Sequence, residues 1–154
     1  RLQIMLGRTL GGATVAVVQG LIVFFLSVIV GFRPTAISMI PLALLYMALI
    51  AITFTALGTA IASFIEDMQG FQIIINFLIM PLFFLSGALF PLENLPKAVV
   101  IISAINPLAY GVDGLRGTLI NMAHFGLVTD FLVLGCIAVF VLIAGAYLFS
   151  KIEV

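Results

Sequence analysis

The chain has 154 residues, 64% of them apolar and only 8% charged, with six basic and six acidic side chains that leave no net charge. Its strongly positive mean hydropathy excludes a soluble domain, whose surface such a composition could not cover. The sparse and balanced charge excludes a nucleic-acid-binding protein, which needs a concentrated Lys/Arg face.

A bilayer core about 30 Å thick takes roughly 20 helical residues to cross, so this length accommodates four spans and their connectors but no separate soluble domain. The chain opens on Arg1 and shows no signal-type pattern before its first apolar run, so it is expected to be part of a longer protein. Long apolar runs at 9–31, 35–64, 70–87 and 125–149 predict the spans. They are too continuously apolar for the alternating strands of a barrel, and the fold class is all-α.

The first connector, "FRPT" at 32–35, reads as a tight turn with Pro34 placed to start a helix. The second, "EDMQG" at 66–70, reads as a short acidic turn. The segment 87–124 differs from both, being too long for a turn and too apolar for a solvated loop. Within it, residues 95–105 predict a helix of about ten residues, half the length needed to cross. Asn106 is suited to cap a second helix over 107–121, with Pro107 in its first turn. The pair is expected to be re-entrant, and broken backbone at membrane depth requires protein or a water-filled cavity around it.

Chemistry-bearing groups are few. The chain has no phosphate-cradling glycine loop and no metal-ligand spacing, and no nucleophile lies beside a base. A single histidine, His124, gives little from which to assemble an intramembrane enzyme, so no catalytic or metal site is assigned. Cys136, the only cysteine, lies within an apolar run and can form no intrachain disulfide.

Residues 9–32, 34–65 and 71–87 contain no Asp, Glu, Lys, Arg or His, whereas ion-coupled carriers place such groups at mid-depth. Any transport is therefore expected to draw its energy from elsewhere. Asp130, near the start of the last run, reads as a solvated end position. Asp113 and Arg116 stand three apart, a spacing that lets them pair as a structural clamp. Gly111, Gly114 and Gly117, together with the small pairs Gly7/Gly11, Ala16/Gly20 and Gly58/Ala62, suit close helix packing, within the chain or between subunits. Phe83, Phe84 and Phe90 read as packing residues, with an aromatic wall for an amphipathic substrate as the sharper alternative.

The stretch "PLFFLSGALFPLENLPKAVVIISAINPLAYGVDGLRG", residues 81–117, resembles the most characteristic segment of the permease subunits of type-2 ABC exporters. Its Ser-Gly, Phe-Pro, Leu-Pro, Asn-Pro, Tyr, Asp and Leu-Arg elements match at similar spacing. "RLQIMLGRTLGG" at 1–12 is similar to the stretch after that family's coupling helix, and "ALGTAIASFIEDMQGFQIIINFLIMP" at 56–81 to its fourth and fifth spans. The resemblance implies the last four of six spans.

It also implies a multi-pass protein of the plasma or inner membrane with both ends cytoplasmic. Orientation comes from the resemblance alone, because the positive charge is balanced: Arg1, Arg8 and Lys151 on one side, Arg33, Lys97 and Arg116 on the other. The permease would pair with itself or a homologue and dock on a separate ABC ATPase, which alone would bind ATP and Mg; this chain would bind no cofactor. Arg1, Arg8, Glu66 and Asp67 would lie on the ATPase-coupling side. Gly87, Pro91, Pro96, Asn106, Pro107, Tyr110, Asp113 and Arg116 would shape an outer gate. The alternatives are a passive channel, for which no TVGYG-type filter run or acidic ring cluster is present, and a non-transporting assembly subunit.

Overall fold

The computed structural model of the chain describes residues 2–65, 67–90 and 96–150, with side-chain surroundings for those between 6 and 147. Arg1, Glu66 and Pro91 lie outside the described residues. Every regular element among them is helical: α1 (Leu2–Val30), a 3-10 turn (Ile37–Met39), α2 (Ile40–Ala62), α3 (Met68–Phe84), α4 (Lys97–Ser103), α5 (Pro107–Ile120) and α6 (Leu127–Ser150).

Local sequence sets the helix ends. Pro41 sits in the first turn of α2, where its missing N–H breaks no helical bond. Asp67 caps α3, its carboxylate accepting the Gly70 N–H at 2.9 Å. Helix α2 starts later than the apolar run suggests, because Thr35 is tethered elsewhere. Its N–H (2.9 Å) and its hydroxyl (3.2 Å) both donate to the Leu119 carbonyl, and Ala36 remains extended. That tether brings the α1–α2 connection to the C-terminal end of α5.

Helix α2 is the centre of the assembly. It packs against α1, α6 and α5; α5 packs against α6, and α1 also reaches α6. The interior is built mainly from small residues, Ala13, Ala43, Ala51, Ala56, Ala60, Ala109 and Ala138, around Tyr46 and Leu134. Such a core fits a lipid setting, where backbones must approach closely because the hydrophobic effect does not drive helices together.

Three segments are long and apolar enough to cross a membrane: Leu6–Val30, Ile37–Ala62 and Leu127–Tyr147. Helix α3, the fourth expected span, is shorter at 17 residues and buries none of them, packing lightly on α2. At 1.5 Å per residue it reaches about 25 Å, a little short of the core. Helices α4 and α5 are long and apolar enough to cross only when taken together, and they are bent by 98° at their junction. The pair thus forms a right-angled elbow, a geometry open to both a re-entrant loop and a broken span.

Candidate functional site

The elbow is fastened through the side chains of Asn106, Tyr110 and Asp113. Asn106 stands at the bend with extended backbone, and its side-chain oxygen accepts the Leu108 N–H at 2.9 Å, which caps α5. Its amide nitrogen donates to the Leu82 carbonyl at 2.6 Å and so ties the bend to the last turn of α3. One turn on, the Tyr110 hydroxyl donates back across the bend to the Ala104 carbonyl at 2.7 Å. The Tyr110 ring lies against Phe125, with centroids 5.0 Å apart, so the bend also touches the segment leading into α6.

Asp113, another turn along, is 6% exposed. Its two oxygens accept the His124 N–H, each at 2.8 Å, and one also accepts the Phe125 N–H at 2.7 Å. The connection from α5 to α6 is therefore wrapped around one carboxylate, which holds backbone donors that no helix satisfies. Asp113 and Arg116 do not form the expected clamp. Arg116 turns away and reaches only the Ala88 carbonyl at 3.4 Å, in the turn after α3. The three-residue spacing permits a pair, but the backbone N–H groups eleven and twelve residues downstream claim the carboxylate first.

The glycines of α5 serve the same junction. At Gly114 a Cβ would overlap the Tyr46 ring of α2; at Gly111 it would meet Ile50, and at Gly117 Leu127 and Ala123. Packing within the chain thus explains this triad. Gly7, Gly11 and Gly58, in contrast, face open space. Tyr46, wholly buried, donates its hydroxyl to the Leu127 carbonyl at the start of α6 and packs edge-on against Phe131.

Other predicted site residues lie elsewhere. Gly87 adopts φ +79° in the turn that ends α3, a conformation suited to glycine. Pro96 directly precedes α4 and Pro107 opens α5. Phe83, Phe84 and Phe90 are 41%, 52% and 59% exposed and form no closed wall. Arg8 and Asp67 are exposed, near the start of α1 and at the α2–α3 turn, the opposite end of the bundle from the elbow.

Asp130 departs most sharply from its expected place at a solvated helix end. It is fully buried in the first turn of α6, and neither of its oxygens has a hydrogen-bond partner. Its burial comes with the packing of α2 and α5 on α6, from distant parts of the chain, which no local pattern announces.

A small-residue helical bundle with apolar spans and a side-chain-fastened broken helix pair defines a multi-pass integral membrane protein. The family described as ABC-2 type transporter matches residues 1–120, and the chain belongs to that family. It is 39% identical over 84 residues to Nodulation protein J of Rhizobium leguminosarum bv. viciae, covering 52% of this chain and 32% of that protein. It is 32% identical over 87 residues to Nodulation protein J of Rhizobium meliloti (strain 1021), covering 55% and 33%. The chain thus spans about a third of the length of these curated relatives.

Proposed function

We propose that the chain is part of the membrane subunit of an ATP-driven exporter, in which the α4–α5 elbow forms the outer lid of the substrate path. The observation that carries this reading is the elbow itself. Its broken backbone is satisfied by Asn106, Tyr110 and Asp113, so it can sit at membrane depth as a rigid piece attached to α2, α3 and α6. A lid held this way moves when those helices move, which is how a distant energy source would reach it. Gly87, Pro91, Pro96, Asn106, Pro107, Tyr110, Asp113 and Arg116 act as its geometric and gating residues.

Energy comes from a separate ABC ATPase that binds ATP and Mg, consistent with spans 9–32 and 34–65 that lack any Asp, Glu, Lys, Arg or His. The ATPase docks at the end of the bundle carrying Arg1, Arg8, Glu66 and Asp67, which is cytoplasmic, as are both chain ends. The protein resides in the plasma or inner membrane and pairs with itself or a homologue, and the open faces at Gly7 and Gly11 suit such pairing.

Reconstitution of the full-length protein with and without its ATPase tests the proposal. Substrate movement that requires ATP and the ATPase is the expected result. Undiminished movement without the ATPase would establish a passive channel, and unchanged ATP turnover with every substrate class offered would establish an assembly subunit.

A further inference from the structure

The cavity beside Arg116 is the feature that the lid does not explain. It holds about 260 Å³ and is walled by apolar side chains, among them Phe32, Val112, Leu115 and Leu119, with Arg116 as the one charged residue in its lining. Arg116 is half-buried, and its bond to the Ala88 carbonyl is long at 3.4 Å, which leaves most of its five N–H donors unused. No carboxylate among the described residues answers it. Asp67 caps α3 at the other end of the bundle, Asp113 is taken by the His124 and Phe125 N–H groups, and Asp130 has no partner.

Its neighbours fix the depth of the cavity. The membrane-length segments end at Val30 and resume at Ile37, so Phe32 and Arg33 stand at the membrane surface between them. The two Thr35 bonds to the Leu119 carbonyl bring the end of α5 to the same level. Arg116 lies three residues before Leu119, about 4.5 Å along the helix. Arg33 is exposed and directly follows Phe32 in the chain. A guanidinium thus lines an apolar cavity at the level where lipid headgroups give way to acyl chains, with a second arginine beside it.

A soluble anion would match this charge and leave the apolar walls uncovered. An uncharged apolar molecule would cover the walls and leave Arg116 without an acceptor. An acidic phospholipid does both, because its phosphate accepts two parallel N–H bonds from one guanidinium while its acyl chain lies along the walls. We propose that the cavity binds an anionic phospholipid of the surrounding leaflet, with Arg116 holding the phosphate and Arg33 contributing a second positive charge. Seated there, the lipid bridges the α1–α2 connection, α5 and the turn after α3, which carry Phe32, Leu115 and Ala88. The site depends neither on the lid nor on what the protein transports.

The test counts lipids bound to the full-length protein in detergent by native mass spectrometry, with phosphatidylglycerol and phosphatidylcholine of identical acyl chains. Phosphatidylglycerol is expected to bind more tightly. The ratio should fall about tenfold in Arg116→Gln, as the loss of a charged hydrogen-bond donor implies. It should fall about fivefold in Arg33→Gln, which removes one cation near the surface. Equal binding of the two lipids, or a ratio unchanged in Arg116→Gln, overturns the proposal. So does a ratio that falls as far in Arg8→Gln, at the other end of the bundle, which would show attraction to total charge alone. Displacement of phosphatidylglycerol by an equal concentration of inorganic phosphate would assign a soluble-anion site and also overturn it. Glu93 lies outside the described residues and supplies the last control. Unfolding temperatures that fall equally in Arg116→Gln and Glu93→Gln, and no further in the double variant, would assign Arg116 to an internal ion pair and overturn the proposal as well. If Arg116→Gln does not accumulate, Arg116→Lys takes its place and must narrow the ratio, because an ammonium cannot make the paired contact.

Discussion

Replacing Gly114 by alanine tests the contact that seats the elbow against the bundle. The added Cβ would overlap the Tyr46 ring, and Tyr46 is wholly buried, so the ring has nowhere to retreat without moving α2 or α5. Overpacking of this kind costs about 1–3 kcal/mol. Shifting the ring also draws its hydroxyl from the Leu127 carbonyl, a loss of about 1 kcal/mol. Alanine's better helix propensity returns up to about 1 kcal/mol, so the net destabilisation is about 1–3 kcal/mol.

The assay is a double-mutant cycle read by thermal unfolding in nanodiscs, with Gly114→Ala, Tyr46→Leu and the combination. Tyr46→Leu makes room for the new methyl group while sacrificing the hydroxyl bond. The combination should therefore be more stable than the sum of the two single effects predicts, by about 1–2 kcal/mol. Strict additivity would refute the claim that α5 is seated on Tyr46.

Asp113→Ala should cost about 2–4 kcal/mol, since it strands the half-buried Phe125 N–H and leaves the His124 N–H to water; thermal unfolding in nanodiscs reads the loss. Arg116→Ala should cost about 1 kcal/mol or less, because its one hydrogen bond is long. The doubly substituted Asp113→Arg/Arg116→Asp protein should recover nothing, and recovery of folded protein would restore the ion-pair reading. Asn106→Ala should cost about 2 kcal/mol by removing both the cap and the tie to Leu82. Asn106→Asp keeps the cap and loses only the donor, so unfolding experiments should place it between Asn106→Ala and wild type. Tyr110→Phe should lose about 1 kcal/mol, with the ring contact to Phe125 retained.

The elements visible in the sequence are those with local causes. Long apolar runs mark α1, α2 and α6, and an Asn-Pro pair marks the bend because a cap and a first-turn proline act within three residues. Helix α3 is legible as a helix, but its 17 residues make its crossing a question of surroundings and not of composition. The site is legible only as a set of names. Asn106, Tyr110 and Asp113 do meet at the elbow, yet their partners are the carbonyls of Leu82 and Ala104 and the N–H groups of His124 and Phe125.

Backbone groups carry no signature in the sequence. Spacing alone therefore points to the nearest opposite charge, Arg116, and not to the real partners of Asp113. Asp130 escapes notice for the same reason in reverse, since a helix-end carboxylate is ordinarily solvated and burial comes from helices distant in sequence that pack on α6.

The proposed re-entry of the elbow can be measured directly. In full-length protein with Cys136 replaced by serine, single cysteines at Arg33, Asp67, Lys97 and Met122 are labelled in intact cells with a membrane-impermeant maleimide. Positions 33 and 122 should label from one side and position 67 from the other, as the Thr35 tether to the end of α5 requires, and position 97 should label with 33 and 122 if the proposed lid exists. Labelling of positions 97 and 122 from opposite sides would show that α4 and α5 cross the membrane as one bent span, and the lid would not exist.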